Sequence, residues 1–154
     1  TIVASNEIMQ LSNNLHILRA NKNNNDDGYL IIELSSARKV AEFTLTTSII
    51  EAIAKRALII TAATKNKHAD VTFRYFAPFY GQLEDNATGS AASVLSPFWE
   101  ALSQSGKLRC HQASQNGGFF IIEKNSAKNH LRPASNTIEV VGQVTSTALS
   151  YYTE

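Results

Sequence analysis

The apolar positions between Ser90 and Ser103 leave few choices of fold. Ala91, Val94, Leu95, Phe98, Trp99 and Leu102 recur at the i, i+3, i+4, i+7 spacing of one helical face, and Ala92 and Ala101 widen that stripe. A helix with so little polar circumference has to be enclosed by other elements, and the rest of the chain offers mainly strands. Residues 15–20 and 29–34 are short runs rich in branched side chains on either side of a polar segment, 21–28, that ends in Asp-Asp-Gly; they read as a hairpin with a long tip. Residues 36–43 and 47–56 carry helix formers, with Ile49, Ile50 and Ile53 at helical spacing, and 57–63 is a continuous apolar strand. Residues 70–77, 108–114, 119–124, 137–141 and 143–152 are strand-like and are separated by turn residues, while 84–90 reads as a loop. The expected class is α+β, with a mostly antiparallel, curved sheet wrapped around one buried helix that Pro97 should kink.

A chain of 154 residues can bury one good core and is short for two domains, so a single domain over 1–154 is expected. Its net charge of +1 gives no basic surplus of the kind a nucleic-acid partner needs. The longest apolar run, 57–63, falls well short of the ~20 residues that span a membrane, and the first residues lack a signal-peptide pattern. The expectation is a soluble, cytoplasmic chain. One cysteine, Cys110, excludes an intrachain disulfide and a multi-thiolate metal site; alternating with Arg109 and His111 in a strand, it reads as a small core residue rather than a nucleophile. His16, His68, His111 and His130 are scattered without metal-ligand spacing, and neither a nucleophile elbow nor a phosphate-binding glycine loop occurs, so no cofactor or metal is expected. The first residue, Thr1, suggests a fragment or processed product with more chain upstream.

The segment from Glu84 to Ala91 carries the chemistry. It sets two carboxylates and a Thr88-Gly89-Ser90 turn directly before the apolar helix. The leading N–H groups of a helix have no partner within it, so the amides of Gly89, Ser90 and Ala91 are candidates to bind an anion such as a substrate carboxylate. Asp85 would lie beside that anion, where burial and a neighbouring negative charge favour the proton-carrying form useful in proton transfer. Spacing alone leaves a second reading open, in which Thr88 or Asp85 caps the helix and nothing binds.

The run Phe73-Arg74-Tyr75-Phe76-Ala77-Pro78, then Gly81, then Glu84-Asp85-Asn86-Ala87-Thr88-Gly89-Ser90-Ala91, then Ser96-Pro97-Phe98-Trp99 resembles the signature of the phenazine-biosynthesis (PhzF-like) isomerases. Gln112-Ala113-Ser114-Gln115-Asn116-Gly117-Gly118 is similar to the family's glutamine, serine and double-glycine segment, and Val141-Gly142-Gln143-Val144 to its closing strand. The resemblance implies a half-barrel around a central helix, as in diaminopimelate epimerase, with two such domains facing each other across a cleft. It implies a cofactor-independent isomerase that moves a proton on a small carboxylate-bearing molecule. Carried over by motif, Asp85 is a catalytic residue that meets the polar face of the substrate; Ser90, with the Gly89 and Ser90 amides and Thr88 and Ala91 beside them, holds its carboxylate and assists proton movement. Asn86 replaces the family's usual proline and Ala92 its frequent histidine, which leaves room for a different substrate. The family's glutamate acid/base belongs to an N-terminal half, within an Asn-x-x-Ser-Glu-Thr-like motif that these residues lack. The chain is therefore expected to be the C-terminal-type domain of a two-domain protein and to need an N-terminal domain or partner chain. The alternatives are a non-catalytic binding module and a half that rebuilds the cleft as a homo-oligomer.

Overall fold

The computed structural model describes residues 17–22, 28–103, 106–124 and 138–142. The strand expected over 143–152, the hairpin tip over 23–27 and the segment 125–137 lie outside the described residues. The described strands are β1 (Ile17–Lys22), β2 (Tyr29–Leu34), β3 (Ala57–Ala63), β4 (Val71–Ala77), β5 (Gln82–Asp85), β6 (Lys107–Gln112), β7 (Phe119–Lys124) and β8 (Ile138–Gly142). They form one sheet in the order β1-β2-β3-β4-β6-β7-β8, with β5 also on β4. Pairings β2-β3 and β4-β6 are parallel and the other five antiparallel, so the sheet is mostly antiparallel as the sequence suggests.

The parallel β2-β3 pair requires a crossover, and two short helices supply it: α1 (Ala37–Ala41) and α2 (Thr47–Ile53). Ser36 caps α1 by accepting the Lys39 N–H at 3.3 Å. Both helices are shorter than their sequence patterns. On α2, Ile50 and Ile53 are buried, whereas Ile49 faces solvent.

Strand periodicity divides the core in two. Leu30, Ile32, Leu34, Leu58, Ile60 and Phe76 face α1 and α2, packing with Val40, Phe43, Ile50 and Ile53. Their neighbours Tyr29, Ile31, Ile59, Phe73 and Tyr75 face the other way, onto a third helix. That helix, α3 (Ala92–Phe98), is preceded by a 3₁₀ turn (Gly89–Ala91) and followed by another (Glu100–Leu102). The sequence pattern reads as one helix over 90–103; the structure breaks it into three pieces, with Pro97 in the last turn of α3. Ala91, Ala92, Val94, Leu95, Ser96 and Trp99 are buried, so the central helix is enclosed as its composition requires, but Ala101 and Leu102 emerge into solvent. The Trp99 indole N–H donates to Thr61 Oγ1 at 3.1 Å, and that hydroxyl donates to the Thr72 carbonyl at 2.9 Å, so the buried polar groups are satisfied. Arg19 lies 3.8 Å from the Phe98 ring centroid and bonds Glu33 at 2.6 Å, tying β1 to the end of α3.

Candidate functional site

The candidate site grows out of a fork in the sheet. The first half of β4, Val71 to Phe73, pairs with β6, and the second half, Tyr75 to Ala77, pairs with β5. The sequence pattern hides β5 because it is four residues long and ends in two carboxylates, which have low strand preference. Its alternation decides the fate of those carboxylates. Asp85 sits opposite Tyr75, on the α3 side; Glu84 sits opposite Phe76, on the α1 side. There Arg74 holds Glu84 with two bonds, Nε to Oε1 at 2.7 Å and Nη2 to Oε2 at 2.6 Å, and Arg74 Nη1 also donates to the Phe43 carbonyl at 2.6 Å. Glu84 is thus part of the scaffold.

Asp85, Thr88 and Ser90 line one cleft of about 370 Å³ with Arg56, Tyr75, Ala77, Tyr80 and Gln82. Gly89 and Ser90 line an adjoining recess with Tyr29, Arg56, Ala92 and Ser93. Four of the five sequence-derived candidates, Asp85, Thr88, Gly89 and Ser90, therefore meet at one place. Ala91 does not join them by its side chain, which is fully buried in the core; only its backbone belongs to the turn. A Cβ added to Gly89 would meet nothing within 4 Å, so the backbone there lies open to an approaching ligand.

The capping alternative is answered in part. Thr88 occupies the residue before the 3₁₀ turn but makes no side-chain cap bond, and Asp85 Oδ1 accepts the Ala87 N–H at 3.2 Å, a bond inside its own loop. The Thr88 N–H is taken by Gln112 at 2.8 Å. A 3₁₀ turn leaves its first N–H groups without a partner inside the turn, which makes Gly89 and Ser90 the leading donors.

The pattern of the sequence did not single out Tyr75, Tyr29 or Arg56. Tyr75 and Tyr29 are buried neighbours across the sheet, with ring centroids 6.3 Å apart and in edge contact. Burial first, and then Tyr29, push the Tyr75 phenol above its usual range, while the Ser90 hydroxyl and the Arg56 charge pull the other way. Arg56 stacks over Tyr29 at 4.9 Å and adds a cation to both recesses. No local motif marks it: the parallel β2-β3 crossover brings it beside Gly28, whose carbonyl accepts the Arg56 N–H at 2.9 Å. Cys110 is fully buried, and that burial pushes its thiol up to about 12, as befits the core residue the sequence suggests. Among the described residues no three His, Cys, Asp or Glu side chains are grouped to share a metal ion, and no helix is long and apolar enough to cross a membrane.

A mostly antiparallel sheet enclosing one apolar helix, with a short strand ending in Asp85 and a Thr-Gly-Ser turn opening onto a cleft, fits the diaminopimelate epimerase-like fold of PhzF proteins. The chain belongs to the phenazine biosynthesis-like protein family, whose sequence profile matches residues 3–148. It is 39% identical over 94 residues to an uncharacterized isomerase of Vibrio cholerae, covering 61% of this chain and 30% of that protein. A second uncharacterized isomerase, from Halalkalibacterium halodurans, is 32% identical over 93 residues, 60% of this chain and 35% of that one. The crystal structure of a phenazine biosynthesis protein of the PhzF family from Enterococcus faecalis superposes with a TM-score of 0.63 at 27% identity, over 74% of this chain and 43% of that one. The chain thus matches about a third of the length of these curated relatives and under half of the solved structure.

Proposed function

We propose that this chain supplies the carboxylate-binding half of a cofactor-independent, PhzF-like isomerase, which moves a proton on a small carboxylate-bearing substrate held between two domains. The observation that carries the reading is the meeting of Asp85, Thr88 and Ser90 on one cleft, within a family whose named relatives include isomerases. The Gly89 and Ser90 amides and the Ser90 hydroxyl would hold the substrate carboxylate, with Arg56 adding positive charge. Asp85 would face the substrate's polar side and orient the group that gains or loses the proton. A group that both removes and returns a proton is still needed, and Glu84 is committed to Arg74 on the far side of the sheet. We therefore assign that role to a glutamate of an N-terminal domain packed over the cleft, in the same protein or on a partner chain. Tyr80 lines the cleft and is exposed, as are Phe79 and Leu83 in the same segment, and the three suit such a domain as apolar contacts.

The test is Asp85→Asn in the complete two-domain protein, expected to lower turnover roughly 10²-fold with folding intact. Full activity in that variant would reduce Asp85 to a loop-turn residue. The commitment of Glu84 to its ion pair equally suits a second reading, a binding module that holds a carboxylate without moving a proton; the Asp85 variant would then change affinity alone.

A further inference from the structure

We propose that Gln112 is a positioning residue for the cleft, holding the loop from Asp85 to Thr88 in the one shape that turns Asp85 and Ser90 toward the same ligand. The inference rests on the isomerase reading above and adds a residue to it. Gln112 ends β6, in parallel register with Phe73 across the fork, and is 2% exposed. Its side chain reaches the loop at both ends. Oε1 accepts the Thr88 N–H at 2.8 Å, Nε2 donates to the Asp85 carbonyl at 2.6 Å, and Nε2 also lies 3.4 Å from Thr88 Oγ1.

That pattern needs a neutral amide. One end must accept and the other must donate at the same moment, and the partners fix which is which: a backbone N–H faces Oε1 and a carbonyl faces Nε2. Burial keeps water from substituting for either bond. Between the two anchors, the Asp85 carboxylate accepts the Ala87 N–H at 3.2 Å, so its direction follows from the loop shape that Gln112 sets. Ser114 Oγ adds a third tie from the same segment, donating to the Asn86 carbonyl at 2.8 Å.

Gln112 is itself fixed. Its N–H donates to the Gly118 carbonyl at 2.9 Å, and the Ala113 N–H donates to the Phe73 carbonyl at 2.8 Å. Gly117 packs so closely that an added Cβ would sit 2.0 Å from the Gln112 carbonyl oxygen, so the double-glycine turn is shaped around this residue. The amide thus transmits the rigidity of β4 and β6 to a loop that has little packing of its own.

Gln112→Met keeps the length and burial of the side chain and removes both hydrogen bonds. Hydrogen exchange of the Thr88 amide in this chain, read by NMR, is expected to accelerate at least about 10-fold. In the protein assembled with its N-terminal domain, kcat is expected to fall roughly 10²-fold with KM little changed, the pattern of a misplaced reacting group. Gln112→Glu gives the readout that a merely structural tie would not. A neutral carboxyl can donate to the Asp85 carbonyl and accept from Thr88, so relative kcat should recover toward acid pH and be lost as pH rises. Unchanged Thr88 exchange in Gln112→Met overturns the proposal, as does unchanged kcat when exchange has accelerated. Absence of turnover in the parent protein instead overturns the isomerase reading, and the positioning role with it.

Discussion

Arg74 and Glu84 grip each other by two parallel hydrogen bonds across β4 and β5, at 2.7 and 2.6 Å, with side chains only 15% and 20% exposed. Arg74 spends its remaining nitrogen on the carbonyl of Phe43 at 2.6 Å, so one guanidinium joins β5 to the end of the α1 region. Arg74→Ala is expected to cost about 3 kcal/mol, since it strands a part-buried carboxylate and a carbonyl together. Glu84→Gln keeps the shape and should cost about 1 kcal/mol while leaving turnover at the parent level. Urea unfolding midpoints and steady-state rates check both. A loss of turnover in Glu84→Gln without a loss of stability would instead make Glu84 a proton carrier.

Asp70 and Arg109 form a second multiply bonded pair, Nη2 to Oδ1 at 2.6 Å, and Asp70 Oδ2 also accepts the Arg109 N–H at 2.8 Å. The Arg109 side-chain hydrogen bond is the main cause that holds the Asp70 carboxyl below its usual range. A carboxyl lowered in the folded state contributes stability that is present above its unfolded value near ~3.9 and is lost as pH falls through the lower folded value. Thermal midpoints should therefore drop as pH falls below about 4, and Asp70→Asn should flatten part of that drop. An Asp70→Asn profile parallel to the parent's would contradict the assignment.

Gly89 offers a direct test of carboxylate binding. Room exists for a methyl group there, so Gly89→Ala should fold, yet the methyl would project into the recess that the Gly89 and Ser90 amides line. Titrating labelled chain with benzoate should shift those two amides with an affinity of about millimolar, and the substitution should weaken it several-fold. Equal benzoate shifts in parent and variant would place the anion elsewhere.

The central helix and most strand segments along the chain were legible in the sequence because an apolar stripe at helical spacing and short runs of branched residues are composition patterns, visible without a partner. Asp85, Thr88, Gly89 and Ser90 were legible as a group because they lie in one short segment directly before that helix. The short strand β5 was not, and with it went the distinction between Asp85 and Glu84: which carboxylate faces the cleft depends on pairing with Tyr75 and Phe76, a relationship between segments. Arg56 and Tyr29 reach the cleft through a parallel crossover, and Gln112 reaches the loop across 24 residues of chain, so no local spacing could announce them. The helical pattern outruns the helix itself. Its apolar stripe continues to Leu102, but Pro97 ends the α-helical part at Phe98 and the last apolar residues turn outward.

Solvent-hydrogen exchange tests the central claim, that this chain supplies one half of a proton-moving cleft. The purified chain is incubated in deuterated water with a small carboxylic acid that carries a movable carbon-bound hydrogen, with and without a glutamate-bearing N-terminal half, and label uptake into the acid is followed by mass spectrometry. No uptake is expected from the chain alone, uptake when the halves are combined, and loss of that uptake in Asp85→Asn. Uptake by the monomeric chain on its own, or none from the combined halves with a range of such acids, would contradict it.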